Sequence, residues 1–258
     1  MKRFLHLILN NYALKGIQPV TYFFSHRLLT PLSLFSTNKI ILPVVLMCSL
    51  HLSAQQNIPV DTAYQKVIAE RTAKIVNTLA VKDAVVYKKV QQHLIDQYIQ
   101  LNAIQDGSKS SVTAIKAKQL EKDATDAAIK NEEEKKTAAL KQLHEKFIAH
   151  LKELLTADQL EKVKDGMTYR ILPVTWTAYL DMIPRLTQEQ KDKMYAWLVE
   201  ARELAMNEGS SDKKHAVFGK YKGRINNYLS AAGYDMKKEG EDWAKRIQAA
   251  KDAKQNTK

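Results

Sequence analysis

Beyond residue 58, apolar side chains recur at three- and four-residue intervals almost without a break, and strict apolar/polar alternation is nearly absent. Such spacing lays one apolar stripe along each helix and leaves no segment suited to a half-buried strand. The chain must therefore build its core by packing helix on helix. Disulfide staples are not open to it, because the single cysteine, Cys48, precedes the periodic region. Cys-based metal sites are excluded with them, and no motif for a metal or a cofactor stands in their place.

Local signals cut the region into six or seven helices. Asp61 can cap a first helix carrying Tyr64, Val67, Ile68, Arg71 (through its stem), Ile75 and Leu79. A second starts near Asp83 with Val86, Val90, Leu94, Tyr98 and Leu101 on one side, and the turn signal Asp106-Gly107-Ser108 predicts its end. From about 111 to 155 the chain is rich in Ala, Lys and Glu. Its apolar line is thin at Ile115, Leu120, Ala124 and Ala127, and strong at Leu140, Leu143, Phe147, Leu151 and Leu154. That pattern predicts an antiparallel helical hairpin forming a long coiled-coil-like arm. The charge run 132–136 reads as a solvated face.

Two later segments share one device. Leu155-Thr156-Ala157-Asp158-Gln159 and Leu186-Thr187-Gln188-Glu189-Gln190 each place Thr three residues before Gln. In this capping box the hydroxyl accepts from the N3 amide while Gln reaches back to the cap amide. Helices should start there, near 157–167 and 188–207. Between them, 169–184 gathers Trp176, Tyr179, Leu180 and Met182 between Pro173 and Pro184, either as a lid on the core or as the wall of a groove. Met194, Trp197, Leu198, Ala201 and Leu204 stand at core spacing. Ser or Asp within Gly209-Ser210-Ser211-Asp212 caps a helix running to Ala232, with Gly233 as its stop. A last helix, about 235–254, carries Trp243 and Ile247.

The first 54 residues hold five Lys or Arg and no Asp or Glu. Lys39 leads into an apolar run, 40–52, closed by Ser53-Ala54, so residues 1–54 read as a signal segment cleaved near Ala54, ahead of a helical domain over 55–258. The run is too short to span a bilayer, which takes about 20 apolar residues. Met47 is not the small residue that lipidation of Cys48 requires. Membrane contact is therefore expected only through an uncleaved leader or a lipid anchor. The lead-in before Asn38 is unusually long: either the start lies further downstream or the n-region is extended. Removing the five basic residues of the leader lowers the formal charge from +12 to +7, too little for a basic stripe, and nucleic acid is not an expected partner.

Catalytic patterns fail on spacing. His144-Glu145 opens like a zinc-protease motif, but Ile148 stands where the second ligand is needed, and His150 falls on another side of the helix. These histidines read as surface residues. Gly219 and Gly223 have no Lys-Ser/Thr after them and no strand before them, so they do not cradle phosphate. Close packing of a neighbour against that face is the simpler use. Ser210 and Ser211 suit caps, and carboxylates such as Asp181, Glu200, Glu203 and Glu208 carry no weight without a known separation.

The densest recognition chemistry lies in 207–235, with five Lys or Arg, His215, four aromatics and four of the eight glycines. On a helix, Val217, Tyr221, Ile225 and Tyr228 or Leu229 face the core, and Lys220, Arg224 and Asn227 form a polar stripe beside them. Basic and amide donors next to aromatic rings suit ligands with hydroxyls and carboxylates, acidic sugars above all. A solvated stripe flanking core tyrosines is the competing reading.

The runs Val163-Lys164-Asp165-Gly166-Met167-Thr168-Tyr169, Ala178-Tyr179-Leu180-Asp181-Met182-Ile183-Pro184 and Ala196-Trp197-Leu198-Val199-Glu200-Ala201-Arg202-Glu203 resemble a family of exported helical proteins of Bacteroidetes, domain-of-unknown-function family 3826. Its strongest signature is Phe218-Gly219-Lys220-Tyr221-Lys222-Gly223-Arg224-Ile225-Asn226-Asn227-Tyr228, followed by Ala231-Ala232-Gly233-Tyr234. The resemblance covers roughly residues 59–251. It implies a periplasmic or secreted protein met near polysaccharide-utilisation genes, to which sugar binding is ascribed, and it supplies no catalytic residues. The paired Leu-Thr-x-x-Gln motifs are also similar to those of the small periplasmic chaperone Spy and its relatives.

Together these features lead to the expectation of one all-α domain behind a signal segment, in the periplasm or outside. Its expected work is non-catalytic binding of an oligosaccharide through Trp176, Tyr179, Lys220, Tyr221, Arg224 and Asn227, in polysaccharide utilisation. A structural or chaperone-like domain gripping another exported protein with the arm is the alternative, and a glycan hydrolase or lyase comes third.

Overall fold

The computed structural model describes residues 62–255, all of whose regular elements are helices. The leader lies outside the described residues. Eight helices follow one another: α1 (Thr62–Asn77), α2 (Ala84–Ala117), α3 (Lys122–Leu154), α4 (Ala157–Met167), α5 (Ile171–Met182), α6 (Gln188–Met206), α7 (Ser211–Ala231) and α8 (Met236–Gln255). The all-α expectation is met, with more helices than the six or seven foreseen, partly because 169–184 contains a helix of its own. Pro173 sits in the first turn of α5, where a missing N–H costs no intrahelical bond.

The hairpin is real, but its parts are drawn elsewhere. Helix α2 does not stop at Gly107; it runs through to Ala117, about 50 Å in all. Asn102 holds the Asp106 carboxylate at 3.0 Å within the helix, so the Asp serves the helix instead of turning the chain. One glycine costs about 1 kcal/mol, less than packing along α3 returns. The reversal comes at residues 118–121, where Gln119 takes a left-handed φ of 49°. Between Ser108 and Leu143 no residue is buried. The outer halves of α2 and α3 therefore touch chiefly each other, which makes them the arm.

Helical ends follow local chemistry closely. Both capping boxes form: Gln159 N donates to Thr156 Oγ1 at 3.3 Å and Gln190 N to Thr187 Oγ1 at 3.2 Å. Ser210 caps α7 by accepting from Lys213 N, and Gly233 ends it with a φ of 90°. The α4–α5 joint is tighter, because Tyr169 and Arg170 are both left-handed without being glycine.

Two clusters of buried residues share the work of the core. One gathers Ile68, Val76, Leu94, Leu151 and Val163 from α1 to α4, together with Met206 from the end of α6. The other gathers Leu172, Leu198, Phe218, Ile225 and Leu229 from α5 to α7. Helix α6 therefore takes part in both. Helix α8 is fastened by polar ties: Trp243 Nε1 donates to Asp181, Arg246 donates to the α5 carbonyls of Asp181 and Met182, and Arg185 grips Glu239 with both nitrogens. Val67 and Leu204, placed in the core by spacing, are 39% and 48% exposed.

Glycine spacing misled in one place. At Gly219 and Gly223 an added Cβ would meet nothing within 4 Å, so no neighbouring backbone packs on that face of α7. The close approach is at Gly166 of α4, where a Cβ would lie 3.0 Å from Ile75 of α1. Gly219→Ala and Gly223→Ala should each stabilise the protein, by about 1 kcal/mol, through helix propensity and a less flexible unfolded chain. Urea denaturation measures this directly. A loss of stability in either variant would contradict the open face.

Candidate functional site

The facing sides of α6 and α7 bring aromatic rings and cations together. Trp197 of α6 and Tyr228 of α7 meet edge to face, with centroids 5.4 Å apart. The Arg224 guanidinium lies over the Trp197 ring at 4.4 Å, and Lys193 Nζ lies 4.7 Å from the Tyr228 centroid and 5.6 Å from that of Trp197. One turn along α6 from Trp197, Glu200 Oε2 is 3.7 Å from Arg224 Nη1. Both side chains are about half exposed (53% and 54%), so this ion pair is weak. Desolvation, then the adjacent Glu200 carboxylate, push the Tyr221 hydroxyl up to about 12.

The residues expected to bind ligand are divided by this geometry. Lys220, Arg224 and Asn227 do form an exposed stripe on α7, and Tyr221 is half-buried beside it. Tyr179 is only 5% exposed, and its hydroxyl donates to Asn226 Oδ1 at 2.7 Å, so it braces α5 against α7 inside the core. Burial also raises its pKa well above the ordinary phenol value. Trp176 pairs with Tyr195 of α6 at 5.2 Å. Tyr195 and Trp197 are two residues apart on one helix, roughly 200° around its axis. Trp176 and Arg224 therefore flank α6 on different sides and do not converge.

A second polar cluster ties α3, α4 and α6 together. Arg202, 2% exposed, donates through Nη1 to Asp165 Oδ1 at 2.7 Å and through Nη2 to Glu161. Lys164 Nζ reaches Glu203 at 3.0 Å and Glu161 at 3.2 Å, and His144 Nε2 lies 3.2 Å from Glu203. Burial opposes ionisation of Glu203, yet hydrogen bonds from His144 and Lys164 and the charges of Lys164 and Arg202 hold it down at about 2. His144 is thus part of this cluster and not simply a surface residue, while the His150 ring lies tilted against His93 with centroids 5.0 Å apart.

Spacing alone missed both clusters in part. Trp197 packs against the second core cluster, as its spacing predicts, while its ring also meets Arg224 and Lys193. Arg202 continues the core series Met194, Leu198 by four residues, which is the one signal that it would be buried. Among the described residues no group of three or more His, Cys, Asp or Glu is arranged to hold a metal, and no helix is long and apolar enough to cross a membrane.

No curated protein matches the chain. A family model does, over residues 65–249, from within α1 to within α8 and through every element just described. The chain therefore belongs to the family described as protein of unknown function DUF3826.

Proposed function

We propose that this is an exported, non-catalytic binding protein for oligosaccharides carrying carboxylates, with its site centred on Trp197, Tyr228, Lys193 and Arg224. The observation that carries the reading is the Trp197–Tyr228 pair with two cations over its rings on the α6–α7 face. Indole and phenol edges offer apolar area to sugar C–H groups, and a guanidinium can hold a carboxylate with two parallel bonds. The weak pairing of Arg224 with exposed Glu200 lets an incoming carboxylate take its place. Lys220 and Asn227, one turn away on the same stripe, extend the donor surface for hydroxyls. Export rests on the acid-free leader.

Isothermal titration with oligogalacturonate, beside a panel of neutral oligosaccharides, tests the reading. Arg224→Ala and Trp197→Ala should each weaken oligogalacturonate binding at least tenfold, about 1.4 kcal/mol, with circular dichroism unchanged. Trp176→Ala should leave it intact. Absence of heat with every acidic and neutral sugar, or wild-type affinity in Arg224→Ala, would remove the proposal.

A further inference from the structure

A groove of about 520 Å³ opens at the base of the arm, between α2, α3 and the start of α7. Its size suits a ligand of one to three sugar rings or a comparable small molecule. Its wall chemistry is one-sided. Lys109, Lys116, Lys136 and Lys213 line it against two acids, Asp106 and Glu133. Both acids are already engaged: Glu133 pairs with Lys136, and Asp106 accepts from Asn102. Lys109, Lys116 and Lys213 form no ion pair among the described residues. Three ammonium groups are thus left for whatever enters.

Two further observations point the same way. The N-terminus of α7 opens into this groove through Gly209 and Ser210, adding the positive end of a 21-residue helix. Ser108 also lines it: the residue is only 6% exposed, and its hydroxyl forms no hydrogen bond among the described residues while keeping some contact with solvent. A hydroxyl so placed is free to donate to a ligand in the groove. The groove is held open by the frame around it: Gln105 Nε2 donates to Asn207 O at 3.1 Å, which pins the α6–α7 turn to α2.

We propose that this groove binds a small oxyanion-bearing ligand, a phosphate or sulfate ester or a carboxylate, held by Lys109 and Lys213, the first turn of α7 and the Ser108 hydroxyl. Lys116 lies further out along the arm and screens the bound charge. None of these residues belongs to the α6–α7 aromatic patch, so the inference does not rest on oligosaccharide binding there.

Titration of the isotope-labelled protein with inorganic phosphate, inorganic sulfate and glucuronate, at fixed ionic strength with chloride as control, tests it by amide shifts. Saturating shifts are expected at Ser108, Lys109, Gly209, Ser211 and Lys213 with at least one of the three anions, and the most effective one identifies the source. The double variant Lys109→Ala/Lys213→Ala removes two exposed, unpaired cations and should keep its fold while losing at least tenfold in affinity. Ser108→Ala should weaken binding less, and Arg224→Ala not at all, which separates this groove from the patch. Shifts no larger than those with chloride, or unchanged affinity in the double variant, would overturn the proposal. So would loss of binding in Arg224→Ala alone.

Discussion

Arg202→Met should destabilise the protein by roughly 3 kcal/mol, the lower end of the range for breaking a buried ion pair. Methionine is chosen because it keeps the stem and its packing, so the loss isolates the guanidinium. The Arg202 side chain is 3% exposed, while Asp165 and Glu161 are 22% and 48% exposed. The two carboxylates can partly recover water once their partner is gone, which is why the upper end of the range is not reached. Arg202→Lys should not restore stability, because an ammonium lacks the planar fork through which the guanidinium serves Asp165 and Glu161 from separate nitrogens. Glu161→Gln should cost under about 1 kcal/mol, since that end of the network is half solvated.

The same network sets the acid limb. Glu203, held at about 2 against an ordinary 4.5, contributes stability that is fully present above about pH 5 and is lost as pH falls towards 2. Removing Arg202 takes away one of the charges that lowers it, so the variant should show a shallower acid limb as well as lower stability at pH 7. Equilibrium urea denaturation from pH 3 to 7 reads both. A cost below 1 kcal/mol at pH 7, with an unchanged acid limb, would mean that the cluster is incidental to stability.

What the sequence made legible was local. Both Thr-x-x-Gln boxes, the Ser210 cap and the Gly233 stop depend on groups within three or four residues of one another, and all appear where the pattern places them. The failures share a different physics. Gly107 is a turn signal only while nothing else holds the chain, and here the partner helix α3 runs beside α2, which continues unbroken to Ala117. Gly219 and Gly223 have the spacing of a packed face, yet that face meets solvent because α8 and α6 lie elsewhere around α7. The polar stripe Lys220, Arg224 and Asn227 lies on the exposed side of α7, as its spacing predicts, but the aromatic ring beside it does not follow from that spacing. Trp197 comes from α6, and which ring a helix turns towards its neighbour depends on interhelical rotation that no periodicity encodes. Tyr179 shows the converse: an aromatic in a Pro-bracketed segment looked available, and a side-chain amide 47 residues away claims its hydroxyl.

Lys214 should give the protein an unusual alkaline profile. This lysine is 3% exposed, and its Nζ donates to the α6 carbonyls of Ala205 at 2.8 Å and Met206 at 3.3 Å. A cation there complements the negative end of α6. Burial nevertheless dominates and draws the ammonium down from 10.5 to about 8, with Glu208 pulling the other way and Arg71 adding to the depression. Because the folded value lies below the unfolded one, the unfolded chain binds more protons between pH 8 and 10.5, and stability rises with pH across that window. The burial cost is fully present below pH 8 and is relieved above it, by roughly 2 kcal/mol between pH 7 and 9.5. Tyr98 and Tyr179 act in the opposite sense, since burial raises both phenols and their contribution is lost as the unfolded tyrosines ionise above about pH 10. The difference between wild type and Lys214→Met cancels the tyrosines and leaves the lysine. That difference should move by roughly 2 kcal/mol in favour of wild type from pH 7 to 9.5 in urea denaturation. Parallel curves for the two proteins would show that Lys214 is not held charged in the core at neutral pH.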